Sequence, residues 1–125
     1  DISGGHSAFL LDNSRAAVTA SRMLEDGVDA KYDPPQRGVS GSRIDFRDAF
    51  YLATKGGAEV LDLPVGAFEV GRQMDAILVD LADDFGPPED LLQKIVMRAT
   101  PAEITQTWVA GKCVSAPTAH PDQSA

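Results

Sequence analysis

The sequence predicts a mixed α/β chain in which helices come first and strands follow. Three observations carry this expectation. Apolar residues recur at helical spacing through residues 7–26 and again through 46–53; the period falls to two in AILVDL (76–81); and ITQTWVAGKCVS (104–115) reads as two strands joined by a glycine turn. The change falls near Pro64. Helices that cannot bury both faces against each other call for a sheet, and short strands at the end supply only a small β layer, so the pattern describes part of a larger layered fold.

Length and charge bound the possibilities. The 125 residues, 43% of them hydrophobic, suffice for one compact domain. A complete enzyme barrel needs about 250 residues. Eleven Lys and Arg against 19 Asp and Glu leave a formal charge of −8, which disfavours nucleic acid or an anionic membrane as a partner. Cys113 is the one cysteine, so an internal disulfide framework and a cysteine-based zinc knuckle are excluded, and a reducing, cytoplasmic setting fits. No apolar run approaches the roughly 18 residues of a membrane span, and no signal peptide heads the sequence. With no initiating Met and a start that reads as structured, the sequence is expected to be the C-terminal piece of a longer polypeptide.

The opening DISGGHS (1–7) sets an aspartate ahead of Gly4 and Gly5, where the backbone can bend sharply. If a strand ends at Asp1, its carboxylate projects into the strand's C-terminal mouth, where α/β proteins keep their chemistry. Ser7 is then expected to cap a long helix in which Leu10, Ala17 and Leu24 recur at heptad spacing beside Leu11 and Val18, with Gly27 as the stop. The loop 28–42 holds Pro34-Pro35, Gly38 and Gly41 and is expected to lack regular structure; its length suggests a lid or an oligomer contact. Asp45 caps a second helix with Phe46, Ala49, Phe50 and Ala53 on one face, and Gly56-Gly57 should end it. AEVLDL adds a short helical turn closed by Pro64, and AFEVG (67–71) reads as a short strand before AILVDL.

Beyond the acidic loop ADDFGPPED (82–90), Leu91 with Ile95 and Leu92 with Val96 pair at i,i+4 in a further helix. Thr100-Pro101-Ala102-Glu103 has the form of a capping box that starts only a brief helix. The strands of ITQTWVA and CVS follow, with the tight turn expected at Gly111-Lys112. TAHPDQSA is expected to be a flexible tail.

Four stretches resemble one family. DISGGHS looks like the segment closing the last strand of a metal-dependent barrel, AFYLATKGGAEVLDL is similar to the final barrel helices, GAFEVGRQMDAILVD looks like the return into a small β-sandwich, and ITQTWVAGKCV resembles its closing hairpin. The family is the amidohydrolase superfamily and, within it, the guanine deaminases. The last three stretches are shared across the superfamily; Asp-Ile-Ser-Gly-Gly is the more specific. The resemblance implies the end of a (β/α)8 amidohydrolase barrel in residues 1–64, a β-sandwich portion with a short helix in 65–115, and the tail in 116–125.

It also implies chemistry. Such enzymes hold one divalent metal, usually zinc, which lowers the pKa of a bound water toward about 7. Attack on C2 of guanine gives xanthine and ammonia. An aspartate at the end of the last barrel strand completes the metal site and orients the water, and Asp1 alone matches that motif; the metal-binding histidines and the acid-base glutamate would lie upstream. The isolated segment would then be inactive. Its partners would be guanine, the upstream part of the barrel and a second copy in a homodimer.

Plainer readings stand beside these. His6 lies beside the turn without being demanded by the pattern, and His120 in the tail lacks a second ligand at suitable spacing. Asp83, Asp84, Glu89 and Asp90 lack the order of a calcium loop and read as a solvated acidic loop. Cys113 reads as a packing residue; Phe50, Phe68 and Trp108 as core or junction; and Arg37, Arg43 and Arg47 as solvated charge. Two other functions remain open at this point: another amidohydrolase acting on an aminopurine, a nucleoside or a triazine, and a non-catalytic α+β interaction module.

Overall fold

A computed structural model describes residues 7–81, 87 and 90–115. It contains four α-helices, α1 (Leu10–Asp26), α2 (Phe46–Ala53), α3 (Lys55–Val60) and α4 (Leu91–Arg98), and three strands, β1 (Ala76–Val79), β2 (Ile104–Val109) and β3 (Lys112–Ser115), among the described residues. Helix α1 packs on α2, α2 on α3, and α4 on both α1 and α2. The strands form an antiparallel meander in the order β1-β2-β3. The mixed α/β content expected from the periodicities is present.

Helix α1 buries Leu11, Ser14, Val18 and Ser21, a stripe at helical spacing. Of the two apolar rows in the sequence, Leu11 and Val18 face inward, whereas Leu10 and Leu24 are exposed. The two serines permit this choice because their hydroxyls donate to their own helix, Ser14 to the Leu10 carbonyl at 3.1 Å and Ser21 to the Val18 carbonyl at 2.8 Å. Ser21 Oγ also accepts the Ile44 N–H at 3.1 Å, which draws the entry to α2 onto α1. Phe9, rather than Ser7, occupies the N-cap position, and it makes no side-chain cap. Gly27 does end the helix, donating its N–H to the Met23 carbonyl.

The loop after α1 is more ordered than its prolines suggested. Pro34–Gln36 forms a 3₁₀ turn, the Val39 N–H donates to the Leu24 carbonyl at 2.9 Å, and Arg43 pairs with Glu25 at 2.6 Å and Asp26 at 3.0 Å. Gly38, at φ +73°, lies so close to α1 that a Cβ there would fall 2.0 Å from the Glu25 carbonyl oxygen. Only glycine fits this approach.

Asp45 caps α2 as expected. Its carboxylate accepts the N–H groups of Arg47 and Asp48 at 2.7 and 3.1 Å, and Asp48 returns the bond to the Asp45 N–H at 2.9 Å. Gly56 and Gly57 do not terminate a helix; they lie inside α3, and the break occurs at Thr54, whose hydroxyl donates to the Phe50 carbonyl at 2.7 Å. Gly56 is buried because α3 folds back on α2: a Cβ there would stand 2.8 Å from the Tyr51 ring.

Residues 67–71 are not a strand. They are held by a polar knot instead, in which Glu69 pairs with Lys55 at 3.0 Å and Arg72 at 2.7 Å, while Arg72 also reaches the Val65 carbonyl at 3.1 Å. In β1 the predicted alternation gives no buried face, since Ile77 and Leu78 are both exposed and the register slips between Leu78 and Val79. The hairpin turn falls one residue earlier than expected, at Ala110-Gly111, with φ +48° and +76°; this is the double positive φ of a tight hairpin turn, and Lys112 opens β3. The expectations for the 116–125 tail and for most of the acidic loop lie outside the described residues.

Candidate functional site

The sequence placed one carboxylate, Asp1, at the centre of the chemistry, and Asp1, the Gly4-Gly5 turn and His6 lie outside the described residues. The described chain begins at Ser7. Ser7 Oγ donates to Asp12 Oδ2 at 2.9 Å and accepts the Phe9 N–H at 3.1 Å, and the Ser7 carbonyl accepts from Asn13 Nδ2 at 2.9 Å. The other Asp12 oxygen pairs with Arg15 at 2.7 Å. Arg15, only 23% exposed, turns its remaining donors to the carbonyls of Val96, at 2.8 Å, and Ala99 at the end of α4. A continuous polar strap therefore runs from Ser7 to the C-terminus of α4. The Asp12–Arg15 spacing was visible in the sequence as an i,i+3 pair, but the carbonyls of Val96 and Ala99 carry no side-chain signal.

The remaining candidates do not gather into a site. Among the described residues no group of three or more His, Cys, Asp or Glu could hold a metal ion. They therefore do not fit the implied zinc by themselves. Asp83, Asp84, Glu89 and His120 lie outside the described residues, and Asp90 is exposed at the start of α4 without a side-chain cap bond. Arg37 donates to the Tyr32 carbonyl, Arg43 is paired as above, and Arg47 sits 3.4 Å from Asp45 with its guanidinium 4.6 Å from the Phe46 ring centre. Each arginine has a local partner. Cys113 is exposed rather than packed, because nothing among the described residues covers β3. Trp108 and Phe50 are half-buried, whereas Phe68 is 83% exposed and fills no core of this chain.

Two open depressions lie at the C-terminal end of α1. One, of about 440 Å³, is mainly apolar, lined by Met23, Leu24, Val28, Tyr32 and Val39, with Asp29, Gln36 and Arg37 at its wall. The other, of about 560 Å³, is lined by charged groups including Arg22, Glu25, Arg43 and Asp48. Substrate pockets enclose most of their ligand, whereas both depressions are open to solvent. The electrostatic perturbations are local too. Backbone donors from Asp48 and Arg47 hold the Asp45 carboxyl below its usual value, Arg72 and Lys55 do the same for Glu69, and the hydrogen bond to Glu59 raises the Tyr51 phenol.

With this arrangement in place, comparison supplies the class. The amidohydrolase family profile matches residues 5–114, and the chain belongs to that family. Among individual relatives, it is 33% identical over 126 residues to a probable guanine deaminase of Schizosaccharomyces pombe, covering 92% of this chain and 22% of that protein. It is 31% identical over 128 residues to the guanine deaminase of Homo sapiens, covering 91% of this chain and 26% of that protein. The guanine deaminase of Dictyostelium discoideum is 26% identical over 123 residues, or 89% of this chain and 25% of that protein. The chain thus spans about a quarter of the length of the curated relatives it matches. No helix among the described residues is long and apolar enough to cross a membrane.

Proposed function

We propose that this chain is the C-terminal portion of a metal-dependent guanine deaminase, contributing the end of the barrel in residues 1–64 and part of a small β-sandwich in 65–115. The observation that carries the reading is the similarity to guanine deaminases over about nine tenths of the chain. The substrate is guanine, hydrolysed to xanthine and ammonia. Asp1 is the metal-ligating and catalytic carboxylate of this segment, the metal is zinc, and its other ligands belong to the upstream chain. The enzyme is a cytoplasmic homodimer.

The exposed apolar residues support the reading of a partial fold over that of a self-contained interaction module. Val60, Phe68 and Val70 are 86%, 83% and 109% exposed, and Ile77 and Leu78 lie open on β1. Surfaces of this kind are normally covered in the working protein. The test is ammonia release by the full-length protein from guanine, with adenine, adenosine and an aminotriazine as competitors for the assignment. Guanine should be preferred, and Asp1→Asn or Asp1→Ala should abolish turnover. Preference for another amine would retain the family and replace the substrate.

A further inference from the structure

Between α3 and β1 the chain makes a loop, residues 64–73, closed at its base by the Gln73 N–H donating to the Pro64 carbonyl at 2.7 Å. Apolar burial does not hold this loop, since Phe68 and Val70 are almost fully exposed. Polar contacts hold it instead. Arg72 spans it, donating to the Val65 carbonyl at 3.1 Å and to one Glu69 carboxylate oxygen at 2.7 Å, while the other Glu69 oxygen accepts from Lys55 at 3.0 Å at the start of α3. Gly66 passes so close to the break between α2 and α3 that a Cβ there would fall 2.7 Å from the Thr54 carbonyl oxygen. One side of the loop is therefore fastened to the helices.

Its far end is fastened to the sheet. Directly after Gln73, the Met74 carbonyl accepts the Gly111 N–H at 2.8 Å, and Asp75 Oδ1 accepts the Ala110 N–H at 2.8 Å. Ala110 and Gly111 form the turn between β2 and β3. Among the described elements the closest packing is helix on helix and strand on strand. We propose that residues 64–75 are a polar mount that couples the β2–β3 turn to the α2–α3 junction, with Glu69 as the clamp on the helical side and Asp75 as the clamp on the sheet side. An exposed ion pair contributes little alone, but Arg72, with its side chain 23% exposed, joins Glu69 to the loop backbone and makes the carboxylate part of a network. Freeing Glu69 loosens Arg72 and the adjoining Gln73 bond, and with them the placement of Met74 and Asp75 against the turn. The inference is independent of the guanine deaminase reading.

The test is amide hydrogen exchange in the full-length protein carrying Glu69→Ala, Asp75→Ala, both together, or Glu59→Gln. Glu59 is the control: it lies in α3 and accepts the Tyr51 hydroxyl, outside the mount. Glu69→Ala should speed exchange of Gln73, Ala110 and Gly111 by about fivefold, the upper end of what exposed ion pairs contribute. Asp75→Ala should speed Ala110 by about tenfold, and adding Glu69→Ala to it should change Ala110 by less than about twofold, because the route to that amide is already cut. Glu59→Gln should leave all three amides within about twofold of the parent. The proposal is overturned if Glu69→Ala leaves Ala110 and Gly111 unchanged, if Glu59→Gln speeds them equally, or if the Glu69 effect on Ala110 persists in full without Asp75. No substrate enters the measurement, so failure of the mount leaves the functional reading standing, and a parent protein that releases no ammonia from guanine leaves the mount standing.

Discussion

The helices and the sheet of this chain are built by the same local rules but finished to different degrees. Helices α1, α2 and α4 close on each other and bury Leu11, Val18, Ala49 and Val96, with Ala99 just beyond the end of α4. The strands satisfy their backbones in a regular antiparallel ladder, yet no described strand residue is buried. Hydrogen bonds contribute modestly to net stability, whereas burial of apolar surface is the dominant favourable contribution. The helical layer therefore has its own source of stability, and the sheet depends on whatever covers it.

Substitutions can break this contrast at its strongest point first. Gly38→Ala would place a methyl group against the Glu25 carbonyl at positive φ and should destabilise the helical layer by about 3 kcal/mol, combining overpacking with left-handed strain. Thermal or denaturant unfolding of the full-length protein reads that loss. Val96→Ala empties a site of 0% exposure and should cost about 2 kcal/mol in the same measurement. On the sheet, Ala110→Asn should stabilise by about 1 kcal/mol, because asparagine tolerates the observed φ of +48° better than alanine and Asn-Gly is favoured in this turn. A loss on Ala110→Asn would show that the turn abandons this geometry in the working protein.

The same contrast governs what could be read from the sequence. Signals that act within a few residues were legible: the Asp45 cap, the Thr100–Glu103 box, the Gly27 stop and the i,i+4 pairs of α4. Position-specific outcomes decided by packing were not. Gly56 reads as a helix stop until the approach of Tyr51 shows why it must be small. Residues 67–71 have strand-like composition but close into the Glu69–Arg72–Lys55 knot. Likewise, Leu10 and Leu11 are equivalent by composition, and the inward-turned serines select the face. Of the candidate site, sequence resemblance supplied Asp1, which lies outside the described residues, while the strap from Ser7 through Arg15 to α4 depends on backbone carbonyls about eighty positions away and has no local signature.

The smallest expected effect isolates one cap from the rest of the helical layer. Backbone N–H groups of Asp48 and Arg47 stabilise the ionised Asp45 carboxylate and lower its pKa in the folded chain. The unfolded chain then holds a proton at pH values where the folded one does not. Stabilisation from the cap is complete above the ordinary aspartate value of 3.8 and fades as pH falls through the lower folded value. Asp45→Asn keeps an oxygen acceptor at the N-cap but removes the titration. Between pH 5 and acid, exchange protection of the α2 amides should therefore decline less in Asp45→Asn than in the parent. Glu69, also lowered and also lost in acid, is common to both proteins, so the difference between their profiles reports the cap alone. Equal declines would show that α2 is held by packing on α1 and α4 with no measurable share from its capping carboxylate.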